Sequence, residues 1–166
     1  TFVANYFSMK KQVYDTCRQT RFISPYEVLL GEYEAADGQI PHTYSCYSDI
    51  AMETLMLKCQ PIMEKITGLK LTPAYTFARI YKHGDVLKRH KDRFSCEIST
   101  TMNLAGDPWP IYLDPTGGSS VKPGVPESGI EESKRLIKNP NKGVKVDLKP
   151  GDMLVYSGCE LEHWRN

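Results

Sequence analysis

The sequence predicts a mainly β fold, a β-sandwich or jelly roll with N-terminal helices packed on one sheet. Three observations carry that expectation. Apolar residues recur at helical spacing across residues 1–69, short strand-like runs begin after Lys70, and Gly/Pro turn signals separate those runs. At 166 residues, with 40 % apolar and 10 % aromatic side chains, the chain can bury one core, which excludes a disordered polypeptide. It reads as a single domain over 1–166, with a helical N-terminal region (1–69) and a β core (70–166).

Taken in order, Val3, Tyr6/Phe7, Val13/Tyr14 and Cys17 mark a first helix. Residues 20–47 are rich in Tyr, Gly and Pro and read as loop, with a short strand around Val28-Leu29-Leu30. Ser48 or Asp49 caps a second helix whose apolar stripe is Met52, Leu55, Cys59, Ile62 and Ile66. Pro61 should kink or divide it, and Gly68 is placed to end it. Strands are expected over Tyr75–Tyr81, Val86–Phe94 and Ile98–Leu104. Residues 114–129, full of Gly, Pro and Ser, read as a long loop and as a lid at the mouth of the barrel. Val144–Leu148 alternates, Lys149-Pro150-Gly151-Asp152 is a turn with Pro and Gly at its two central positions, and Met153–Tyr156 returns as a strand.

Charge is balanced, 21 Lys and Arg against 20 Asp and Glu, which argues against a nucleic-acid binder held by phosphate contacts. No apolar run approaches the roughly 20 residues of a membrane span. Five scattered cysteines without a CxxC pair argue against a disulfide scaffold and fit a reducing, cytoplasmic setting.

The informative triplet is His90-Lys91-Asp92. On an extended segment, residues 90 and 92 share a face, so an imidazole and a carboxylate converge. A second imidazole would complete a facial triad, which holds a divalent ion and leaves positions open for exchangeable ligands. His163, following the Met153–Tyr156 strand, is the natural third ligand. An HxD triplet alone also fits a surface salt bridge or a hydrogen-bonded turn.

The order Tyr81-x-x-Gly84, His90-x-Asp92, Leu148-Lys149-Pro150-Gly151-Asp152-x-Leu154-x-Tyr156 and His163 resembles the Fe(II)/2-oxoglutarate-dependent dioxygenases, and within them the prolyl 4-hydroxylase-like branch. The likeness spans about residues 73–165. It implies a double-stranded β-helix (jelly roll, cupin-like) with Fe(II) on His90, Asp92 and His163, and 2-oxoglutarate and O₂ as cosubstrates. It further implies that Tyr81 contacts 2-oxoglutarate and that Thr101 and Asn103, on one strand face, contribute polar groups to it. The family anchors the distal carboxylate with an Arg or Lys well past the second His. That residue is expected beyond Asn166, in a jelly roll cut short at its C-terminal end, with Arg165 and Arg79 as the nearby alternatives. The expected substrate is unknown, a protein side chain such as proline or a small molecule.

Two other classes remain open. One is a cupin-like metal-binding module or isomerase without 2-oxoglutarate turnover; the other is a metal-free jelly-roll interaction domain. Arg89, Lys91 and Arg93 alternate with the ligand face and read as an outward basic edge, His42 and His83 as surface residues, and Trp109 and Trp164 as core or mouth.

Overall fold

The computed structural model describes residues 1–22, 29–33, 40–117 and 142–166. Its described residues form two helices and eight antiparallel strands arranged in small sheets. The chain divides into two compact units, residues 1–35 with 41–83, and residues 84–166 with 36–40.

The first unit begins with α1 (Phe2–Gln19), which buries Phe7 and Tyr14. Strand β1 (Ser45–Tyr47) follows inside the stretch read as loop; two of its three side chains are buried, and it pairs with β2 (Phe77–Arg79), Cys46 opposite Ala78. A strand this short leaves almost no period-2 pattern to read. Of the strand expected at 28–30, Val28 lies outside the described residues and Leu29-Leu30 form a turn.

Helix α2 (Ile50–Thr67) starts where Asp49 Oδ1 accepts the amides of Ala51 (2.9 Å) and Met52 (3.2 Å), leaving Asp49 as the cap. It ends at Gly68, in the left-handed region at φ 72°, whose amide donates to the Glu64 carbonyl. Pro61 does not divide the helix. Proline removes the donor that the Leu57 carbonyl would use, and both residues are exposed, so water can take that place. The buried stripe is also corrected. Met52 and Met63 are buried with Cys59 half-buried between them, whereas Ile62 and Ile66 are more than half exposed. Met63 stands one position beyond Ile62, a rotation of about 100° on the helix, enough to exchange the buried for the exposed face.

The second unit holds β3 (Leu87–His90), β4 (Ile98–Met102), β5 (Ile111–Leu113), β6 (Val144–Val146), β7 (Met153–Ser157) and β8 (His163–Arg165). Strands β3-β8-β5-β6 make one sheet and β4-β7 a two-stranded partner, all antiparallel. The turn before β7 forms as expected: the Asp152 amide donates to the Lys149 carbonyl, and Gly151 takes the positive φ (97°) that this turn demands. Leu87, Ile111, Leu113 and Trp164 are buried. Of the loop and lid read over 114–130, residues 118–130 lie outside the described residues.

Two expectations about β3 change. The strand ends at His90, not Phe94, so Asp92 sits on irregular chain just past it, its amide donating to the Gly158 carbonyl at 2.9 Å. Arg89 does not face outward. Its guanidinium lies 3.8 Å over the Trp164 ring, with Glu162 at 3.3 Å and Asp114 at 3.8 Å, both carboxylates buried. A planar, weakly hydrated cation can cover an aromatic face, which makes this a packed position and not a solvated one.

Candidate metal centre

His163 lies on β8, an inner strand between β3 and β5, and is 2 % exposed. Its register partner across the ladder is His90. Directly opposed residues of an antiparallel pair project to the same face, and the two rings stand with centroids 4.2 Å apart. A register shift makes this possible. Leu87 pairs with Arg165 and His90 with His163, so β3 spends three residues where β8 spends two.

Asp92 reaches the same point from beyond β3. Its Oδ1 lies 3.4 Å from His163 Nε2 and 3.8 Å from His90 Nε2, and one donor atom from each of the three residues falls within 4.8 Å of the others. The other ring nitrogens are occupied. His90 Nδ1 is 2.8 Å from the Lys88 carbonyl and His163 Nδ1 is 3.0 Å from the Leu161 carbonyl. A carbonyl oxygen only accepts, so each Nδ1 donates there and each Nε2 is left facing the shared point. Tyr156 presses on His163 edge-to-face at 4.8 Å, fixing the ring from the β7 side.

Burial would raise the Asp92 carboxyl, but hydrogen bonding to His163 and Ser99 and the charges of His163 and His90 outweigh it and hold the group below the ordinary carboxylate range. The centre therefore presents one anionic oxygen and two imidazole nitrogens. That donor set can hold a metal ion.

The remaining candidates are distributed as follows. Thr101, on β4, receives Arg165 Nη2 at 3.5 Å. Arg165 shares the β8 face of His163, is 9 % exposed, stacks 5.2 Å from the Trp109 ring and donates to the Trp109 carbonyl. Asn103 stands past the end of β4, where its amide donates to the Leu148 carbonyl at 2.9 Å and ties down the turn before β7. Tyr81 and Arg79 belong to the first unit, with the Arg79 guanidinium 5.7 Å from the Tyr81 ring and 4.7 Å from that of Phe77.

Sequence reasoning missed Ser99 and Gly158, which surround the outer oxygen of Asp92. Ser99 Oγ donates to Asp92 Oδ2 at 2.6 Å. A signal for Ser99 was present, because it shares strand parity with Thr101 and Asn103. Gly158 carried none, since only its backbone and its missing side chain matter. No protein-family profile, curated protein or solved structure matches this chain.

Proposed function

We propose that the chain is a non-haem Fe(II), 2-oxoglutarate-dependent oxygenase that hydroxylates its substrate, with a prolyl or other protein side chain suggested by family analogy. The observation that carries this reading is the convergence of His90 Nε2, Asp92 Oδ1 and His163 Nε2 on one point, with every other polar atom of the three side chains engaged elsewhere. Two imidazoles and one carboxylate suit ferrous iron and leave positions for exchangeable ligands. Bound there, iron would supply the redox chemistry that couples O₂ and a keto acid to hydroxylation.

The chain's own residues have separable tasks on this reading. His90 and His163 hold the ion from paired strand positions, and Asp92 neutralises part of its charge. Arg165 gives the ligand face a buried cation suited to a carboxylate, and Thr101 a hydroxyl beside it. For Tyr81, Asn103 and Arg79, a role toward 2-oxoglutarate rests on the family resemblance alone. The four-stranded sheet and the β4-β7 pair would be the two walls of a double-stranded β-helix. Five free cysteines agree with a cytoplasmic setting, and no described helix is long and apolar enough to cross a membrane.

The test is succinate release. Protein loaded anaerobically with Fe(II) and 2-oxoglutarate, then exposed to O₂, should yield succinate, and Asp92→Ala or His163→Ala should abolish it while the circular dichroism spectrum is kept. Near-parental turnover by Asp92→Ala would overturn the triad. Iron binding without any succinate would favour a cupin-like metal module, and no metal binding at all an interaction domain.

A further inference from the structure

We infer that Ser99 is a positioning residue of the metal centre, whose hydroxyl holds Oδ2 of Asp92 so that the carboxylate offers the ion a single oxygen. The inference rests on the metal-centre part of the reading above. A free carboxylate is symmetric and can grip a cation with one oxygen or with both. Here its oxygens are not equivalent. Both imidazole Nε2 atoms approach Oδ1, at 3.4 and 3.8 Å, whereas Oδ2 takes the Ser99 hydroxyl at 2.6 Å. A serine has one proton to give. The Cys96 carbonyl, its other neighbour, is 3.4 Å away, so the short contact to the anion is the one that receives it.

The backbone fixes both partners of that bond. Ser99 lies in the β4-β7 ladder opposite Tyr156. The Asp92 amide donates to the Gly158 carbonyl, and the Gly158 amide donates to the Glu97 carbonyl, so one residue clasps the ligand segment and the approach to β4 together. A Cβ on Gly158 would fall 2.5 Å from Asp92 Oδ2 and 2.7 Å from Ser99 Cβ, and closer still to Ser99 Oγ. The Ser99–Asp92 pair therefore occupies space that only glycine leaves vacant.

The consequence concerns coordination number. With Asp92 giving one oxygen, the triad covers one face of an octahedral ion and leaves the opposite face exchangeable. Were Oδ2 released, it could turn to the ion and take a position that a chelating ligand or O₂ would need.

Co(II) titrated into metal-free protein reports both affinity and ligand geometry through its visible absorption. Ser99→Ala is expected to stay folded when metal-free, with a modest loss of stability, to bind Co(II) about 10- to 100-fold more weakly, and to show a changed band shape at saturation. Ser99→Thr, which keeps the hydroxyl, should retain the parental affinity and spectrum. Parental affinity and spectrum in Ser99→Ala would overturn the role of the hydroxyl, as would a Ser99→Thr protein as impaired as Ser99→Ala. Those outcomes leave the metal centre standing, whereas Co(II) binding untouched by His163→Ala would overturn the centre itself.

Discussion

Asp49 in the first unit and Asp92 in the second are both hydrogen-bonded carboxylates, and the two are used in opposite ways. In the first, Asp49 is saturated: Oδ1 accepts two amides at the start of α2, while Oδ2 accepts Tyr6 at 2.7 Å and pairs with Lys10. In the second, Asp92 has its outer oxygen engaged by Ser99 and its inner one turned toward two imidazole Nε2 atoms. A saturated carboxylate holds a fold together. A carboxylate oxygen that shares one point with two imidazole nitrogens is a place where a cation belongs.

The contrast is broken most severely by truncating each acid in turn. Asp49→Ala strands Lys10, whose side chain is only 12 % exposed, and removes the helix cap. Loss of about 3–5 kcal/mol in chemical denaturation is expected for an interrupted buried pair. Asp92→Ala, measured metal-free, should cost less, because the Asp92 side chain is 24 % exposed against 1 % for Asp49 and caps no helix. Equal losses in the two variants would erase the distinction between the sites.

A smaller steric effect sharpens it. Gly158→Ala should destabilise the metal-free protein by about 1–3 kcal/mol, the usual cost of overpacking, and should weaken Co(II) binding in parallel with Ser99→Ala. Unchanged Co(II) binding in a folded Gly158→Ala protein would show that the close approach matters less than argued.

The two acids also separate by pH. Burial opposes ionisation of Asp49, but hydrogen bonds from Lys10, Tyr6 and the Met52 amide prevail and keep its folded value below that of the unfolded chain. A depressed carboxylate stabilises fully above its unfolded pKa, about 3.9, and the contribution is lost as pH falls through the lower folded value. Metal binding should fail at higher pH, because a metal ion must compete with protons for imidazole nitrogens, which are more basic than a carboxylate. Co(II) release by pH titration, compared with acid unfolding followed by circular dichroism, is expected to give two well-separated transitions.

How much of this was legible in the sequence depends on where the information lies. His90, Asp92 and His163 are chemically distinctive and sit beside strand and turn signals, so their order alone brought them together. Asp49 and Gly68 were readable as caps because capping is local. What failed depended on approach between distant segments. The buried side of α2 was assigned to Ile62 by hydrophobicity, while packing selected Met63. Arg89 was taken as solvated by alternation, and neither the Trp164 face beneath it nor the buried Glu162 and Asp114 beside it is visible along the chain. Ser99 and Gly158 matter only because β4 and the turn after β7 meet at Asp92.

The extra residue in β3 has a consequence for how this segment tolerates length changes. Counting back from the Leu87–Arg165 pair without a shift, the residue opposite His163 would be Arg89; the bulge passes that place to His90. Deleting Lys88 would thus remove the extra residue and leave Leu87 opposite Arg165 and His90 opposite His163 on an unbroken ladder. The bulge therefore holds one residue more than the pairing of the two histidines needs. Among sequences descended from this one, single-residue gaps at residue 88 should be tolerated, and gaps between His90 and Asp92 absent.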